Sequence, residues 1–241
     1  MDPSPTIHAE LAEALTSLGA ACTAKLGDRL VAVILYGSAA RGLYEPGYSD
    51  VNLLLVLTEA GTAELASLRE CLAAFADRWR ITPYLVTQKE LPAVAEAFPT
   101  RVLEMKRGYK VLLGCDVLAD IAVDRTALAA RAQQELLNVL LRFRHLLLGP
   151  NTPAALEADL RSILPGFIKV LRTLVYLRTG RHLDDRDQLV TAGATAYGFP
   201  ETPLRQLLIW RAGQVVLEDR EWDAAAAGFL DALRKVAGAA P

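Results

Sequence analysis

The spacing of apolar positions changes character once along this chain. From Ile7 to Leu26 apolar residues recur at helical intervals, after Ser4-Pro5, a capping residue followed by proline at the first helical position. Leu30-Val31-Ala32-Val33-Ile34-Leu35-Tyr36 is a continuous β-prone run closed by Gly37, the pattern of a buried strand. Val51 to Leu57 predicts a second buried strand. Ile81 to Thr87 predicts a third, which Pro83 assigns to a sheet edge or to a strand start. Helices are predicted over Thr62 to Trp79 and near Glu90 to Ala97, and Tyr109 to Leu113 adds a last strand closed by Gly114. From about Arg125 onward Leu, Ala and Arg repeat every 3.6 residues with no alternating segment. The pattern predicts helices near 126–148, 154–179, 185–197, 203–218 and 221–238, and Pro165 predicts a kink or split in the second.

Strands first and helices afterwards argue for two domains. The expected fold is an α/β (α+β) head with a mixed sheet over residues 1–120, followed by an all-α helical bundle over 121–241. Apolar residues make up 52% of the 241, enough for two cores without disulfides or metal. A net charge of −2 exerts no general pull on nucleic acid or anionic membrane. No stretch reaches the ~18 uninterrupted apolar residues of a membrane span. Cys22, Cys71 and Cys115 are odd in number and form no CxxC pair, so they read as small core hydrophobes in a reducing compartment. With no basic and apolar leader at the N-terminus, a cytoplasmic protein is expected.

Chemistry concentrates in Tyr36-Gly37-Ser38-Ala39-Ala40-Arg41-Gly42 and Ser49-Asp50-Val51-Asn52-Leu53-Leu54. Gly37 lets the backbone turn sharply and lets a phosphate approach, since no Cβ intrudes. Ser38 offers a hydroxyl and an adjacent N–H, and a helix starting there would favour an anion. Arg41 carries a planar fork of donors suited to phosphate. Asp50 and Asn52 are two apart, so both side chains would leave one face of a strand. Two oxygen ligands beside a phosphate cradle suit Mg²⁺.

These residues resemble the signature of the nucleotidyltransferase superfamily: a Gly-Ser turn, about a dozen residues, then two acids separated by an apolar residue. The superfamily includes DNA polymerase beta, the aminoglycoside nucleotidyltransferases and the small antitoxin-like nucleotidyltransferases. The likeness covers about residues 30–57, and more loosely the order of elements to residue 115. It is greatest to bacterial members in which such a domain precedes a helical one. The resemblance implies that Gly37 and Ser38 grip a nucleoside triphosphate, and Arg41 and Ser49 are further nucleotide-binding candidates beside them. It implies further that Asp50 and the residue at 52 hold divalent ions, and that a third acid on a later strand activates the attacking hydroxyl.

The chain departs from that pattern in two places. Asn52 stands where the second acid belongs, and Arg80-Ile81-Thr82-Pro83-Tyr84-Leu85-Val86 contains no carboxylate. Glu104 is a candidate substitute from another element. With one assignable carboxylate, a single Mg²⁺ arriving with the nucleotide still has Asp50 to bind, but a second ion has little to hold it. Asn52 is open to two readings, a ligand or a polar group satisfied by its own loop.

Other clusters have plainer readings. Lys106, Arg107 and Lys110 read as a solvated basic face. His182, Asp184, Asp185 and Asp187 precede a helix and suit its capping and dipole better than a metal. His8 and His145 lack a second ligand, and Arg142 or Arg144 is a candidate to line a nucleotide cleft. Three functions remain open: a nucleotide binder with weakened or lost transfer, an active transferase acting on a small molecule or protein hydroxyl, and an antitoxin-like interaction module. The partners implied are a nucleoside triphosphate, such an acceptor, and a second copy or protein partner. Neither a membrane nor a nucleic acid is expected.

Overall fold

The computed structural model describes residues 5–44, 49–150 and 152–239. Ser4, the side chain of His8 and the middle of the 37–49 loop lie outside them. The chain divides into two compact units, Met1–Asp124 and Arg125–Pro241.

The first unit is built on four strands, β1 (Leu30–Tyr36), β2 (Val51–Leu57), β3 (Ile81–Thr87) and β4 (Tyr109–Gly114), in the order β3-β2-β1-β4. β1 pairs antiparallel with β2 and β4, whereas β2 and β3 run parallel, so the sheet is mixed. The parallel pair needs a crossover, and helix α2 (Thr62–Ala76) lies between its strands in sequence. β3 is an edge strand, the place where the missing N–H of Pro83 costs no ladder bond.

The strands alternate between two cores. Val33, Leu35, Leu53 and Leu55 pack with Leu15, Leu18 and Cys22 of α1 (Pro5–Leu26) and with Leu68 and Cys71 of α2. Ala32, Ile34, Leu54 and Val56 form a second cluster with Leu91 of α3 (Leu91–Ala97), Met105 of α4 (Pro99–Lys106) and Leu118. Apolar residues on both faces explain why β1, and β2 after Asn52, read as continuous apolar runs rather than alternating ones. The start of α2 is fixed by Glu64, whose Oε2 accepts the Gly61 N–H at 3.0 Å and whose Oε1 pairs with Arg29 at 2.5 Å. Hydrogen bonds from its own backbone N–H, opposed by burial, and then from Gly61 and Arg29 hold this carboxyl below the usual range.

The second unit is all helical: α5 (Arg125–Leu146), α6 (Pro153–Thr179), α7 (Arg186–Tyr197), α8 (Glu201–Arg211) and α9 (Trp222–Ala239). Its centre is aromatic. The Phe229 ring meets Phe143 and Phe167 edge-on at 5.0 and 5.3 Å, the geometry that aromatic quadrupoles favour. Thr152 caps α6 through the Ala155 N–H, Asp185 caps α7 through the Gln188 N–H, and Gly180 and Gly198 close the two helices in left-handed conformation.

Four sequence expectations need correction. α4 was not foreseen, being a two-turn helix that Phe98-Pro99 hides. α8 stops at Arg211 instead of reaching 218, because Gly213 takes φ of +73° and folds its N–H back onto Trp210. Lys106 and Arg107 are not a solvated face. The Lys106 ammonium donates to the carbonyls of Leu118, Ala119 and Ile121, and the Arg107 side chain is 1% exposed. Cys22 and Cys71 are core residues as expected, but Cys115 is exposed.

Candidate active site

The residues singled out above meet where β1 ends and β2 begins. Gly37 has φ of +81°, a conformation that L side chains rarely adopt, and a Cβ there would stand 3.0 Å from the Asn52 side-chain nitrogen. Beyond it the chain makes consecutive tight turns rather than a helix. The Ser38 carbonyl accepts the N–H groups of Arg41 and Leu43 at 3.1 and 2.9 Å. No helix therefore starts at Ser38 among the described residues. Arg41 is half-buried, and its aliphatic stem lies over Gly108, where a Cβ would come within 2.6 Å of Cγ.

Asn52 is fixed by register. It pairs across to Tyr36 on β1 and to Thr82 on β3, and Tyr36 pairs in turn with Tyr109 on β4. Thr82, Asn52, Tyr36 and Tyr109 thus form one row across the sheet, and register partners share a face. Burial raises the pKa of Tyr36, an effect that Arg101 opposes and Tyr84 reinforces. The Arg101 guanidinium lies 4.5 Å from the Tyr84 ring centre. The side chains of this one row are polar and uncharged or phenolic.

Asp50 lies just before β2, so the alternation that orients Asn52 does not orient it. Its carboxylate pairs with Arg80, Oδ1 to Nη2 at 2.9 Å, and its backbone carbonyl makes a long 3.5 Å contact with the Asn52 amide. Arg80 is placed by the same parallel ladder: Val51 pairs with Ile81, and the Val51 N–H donates to the Arg80 carbonyl at 2.8 Å. Tyr44 is buried against Trp79, ring centres 5.9 Å apart, and its pKa is raised by burial, lowered by Arg80 and raised by Asp50. Ser49 is half-buried directly before Asp50. Sequence reasoning missed Arg80 and the tyrosines. The signal for Arg80 was its position one residue before a strand parallel to β2, the counterpart of Asp50.

The remaining candidates are described within their own units. Glu104 accepts from Arg107 at 3.4 Å within α4 and its flank. Asp187 is paired with Arg205, and Asp185 is spent on its cap. Arg142 and Arg144 are exposed on α5, Arg142 donating to Ser162 at 3.4 Å.

A Mg²⁺ ion fits these residues poorly. The available carboxylate, Asp50, already faces a guanidinium, Asn52 adds no charge, and Thr82 stands beside Asn52 on the strand expected to carry the third acid. Among the described residues no group of three His, Cys, Asp or Glu side chains is placed to hold a metal.

The sequence matches no protein-family model and no curated protein. A solved structure is nevertheless similar over most of its length: spectinomycin adenyltransferase AAD(9) from Enterococcus faecialis, with ATP and spectinomycin. The TM-score is 0.58 at 13% sequence identity, covering 92% of this chain and 98% of that one. This chain has a nucleotidyltransferase fold. A mixed four-stranded sheet with helices precedes an all-helical region, in the order that the Gly-Ser signature implied. Among the described residues, no helix of this nucleotidyltransferase-like chain is long and apolar enough to cross a membrane.

Proposed function

We propose that this chain binds a nucleoside triphosphate at the Gly37-Ser38 turn and that nucleotidyl transfer by it is weak or lost. The observation that carries this reading is the state of the acid motif: Asp50 is paired with Arg80, and Asn52 replaces its partner. In a two-metal transfer one ion activates the attacking hydroxyl and the other steadies the leaving group. A site with one engaged carboxylate has little to hold the activating ion. The phosphate-binding part of this reading is supported by Gly37 at φ of +81° and by the Arg41 stem laid over Gly108.

Thermal-shift titration with the four NTPs, with and without Mg²⁺, tests the binding half. A ligand at ~100 times its Kd stabilises the fold by about 2.7 kcal/mol. The expected result is a shift with at least one NTP that Arg41→Ala diminishes, while pyrophosphate release stays at background. No shift with any NTP would overturn it.

A second reading, active transfer to a small-molecule hydroxyl, draws support from the similar adenyltransferase, whose structure holds ATP and spectinomycin. Pyrophosphate release that depends on an added aminocyclitol would favour it over the first.

A further inference from the structure

The face of the sheet that carries Asn52 also presents a cation and a pair of phenols to which the acid motif gives no role. We propose that Arg101 and Tyr36, set around the Tyr84 ring, form an oxyanion subsite that receives the carboxylate or phosphate of a second ligand beside the nucleotide. The inference rests on the reading that a nucleotide binds at the Gly37-Ser38 turn, and it names the chemistry of the acceptor side of that site.

Strand alternation and one helical turn set the placement. Asn52 pairs with Thr82 and Leu54 with Tyr84, so Tyr84 stands on the same face as Asn52, one step further along β3 than Thr82. Tyr36 pairs with Asn52 and belongs to that face too. Both tyrosines are half-buried against the cluster that holds Ile34, Leu54 and Met105. Met105 lies on α4, and Arg101 precedes it by one turn, so the helix that covers this face also carries the arginine. The guanidinium carbon sits 4.5 Å from the Tyr84 ring centre.

This arrangement spares the arginine's donors. An aromatic ring attracts a cation through its quadrupole and leaves the planar N–H fork for other partners. Among the described residues Arg101 makes no ion pair or side-chain hydrogen bond, and the hydroxyls of Tyr36 and Tyr84 make none either. Glu104, one turn further along α4, is engaged with Arg107. The charge of Arg101 is felt at Tyr36, where burial raises the phenol's pKa and Arg101 opposes the rise. A positive potential beside a hydroxyl donor suits an oxyanion, which a guanidinium can hold through paired bonds. An amine-bearing ligand would meet its own charge there. Because the Tyr84 ring holds the guanidinium before a ligand arrives, less ordering remains to be done on binding.

The test uses the full chain and two probes, inorganic phosphate and citrate, titrated by calorimetry at constant ionic strength with and without saturating ATP. At least one probe should bind, and the tighter of the two names the oxyanion. Arg101 is exposed, so replacing it leaves the core intact. Arg101→Gln should weaken binding about tenfold or more and Tyr36→Phe about threefold, the ranges for charge-assisted and neutral hydrogen bonds. Saturating ATP should leave the probe's dissociation constant within about twofold, as for independent sites. Magnetic resonance of chains labelled at tyrosine Cζ adds a readout that packing alone would not move. Arg101→Gln should shift the Tyr36 titration to higher pH, and the bound probe should do so only while Arg101 is present. Binding by neither probe, or binding indifferent to Arg101→Gln, would overturn the proposal. Displacement of the probe by ATP would overturn it too, since Arg101 would then serve the nucleotide itself. If ATP fails to bind, the nucleotide reading falls, and loss of probe binding in Arg101→Gln still supports the oxyanion subsite.

Discussion

Gly37 and Asn52 touch through an atom that is not there: a Cβ on Gly37 would stand 3.0 Å from the Asn52 amide nitrogen. The turn that ends β1 and the second position of the acid motif are therefore packed as one unit, across the Tyr36–Asn52 register pair. A change at either residue is felt at the other, which couples the Gly-Ser turn to the second position of the acid motif.

Gly37→Ala meets two obstacles, φ of +81° and the Asn52 side chain. Backbone strain of this type costs about 1–3 kcal/mol. Chemical denaturation should show a loss in that range, and any NTP-induced thermal shift should disappear. Adding Asn52→Ala removes the contact but not the φ, so it should recover only part of the stability.

Asn52→Asp places a carboxylate beside Asp50 and within the row that includes Thr82 and Tyr36. If transfer is limited by the missing acid, Mg²⁺-dependent pyrophosphate release should rise about tenfold or more over the natural chain, since metal-assisted activation of a nucleophile is a large effect. An unchanged rate would show that the acid pair is not what limits the chemistry.

The strands were legible because β1 and β2 carry apolar residues on both faces, and Gly37 and Gly114 end the runs of β1 and β4. The acid motif was legible because its residues are contiguous in sequence. Arg80 was not, since its importance comes from a parallel register between β2 and β3 that no local pattern encodes. The burial of Arg107 was hidden for a related reason. An arginine beside a lysine reads as surface until the carbonyls of Leu118 to Ile121 and the carboxylate of Glu104 are placed around the pair. Local signals thus pointed to the candidate site, and long-range pairing brought Arg80 to Asp50.

The cysteines separate by burial. Burial, and then the neighbouring Cys71, push the Cys22 thiol up to about 12, against about 8.5 for a free thiol. Between those values the unfolded chain releases a proton that the folded chain retains, so this group lowers stability as pH rises and leaves it unchanged below about 8.5. Alkylation near neutral pH should label exposed Cys115 on the native protein, and Cys22 and Cys71 only after denaturation. Mass spectrometry of native and denatured samples distinguishes the two cases. Rapid native labelling of Cys22 would contradict the closed packing of α1 on α2.

Pro165 sits inside α6 without splitting it, and the reason is local. Proline has no N–H to give the carbonyl four residues back, which belongs to Arg161. Arg211, at the end of α8, donates its Nη1 to that carbonyl at 2.7 Å. A side chain from another helix thereby supplies the bond that the proline removes. Arg211→Ala should cost about 1 kcal/mol, as expected for loss of such a bond. Pro165→Ala restores the helix's own donor, so in that background Arg211→Ala should cost clearly less. A double-mutant cycle in denaturant measures the difference directly. Strict additivity would mean that Arg211 stabilises the bundle through its stem packing alone, and the continuity of α6 past Pro165 would then need another source.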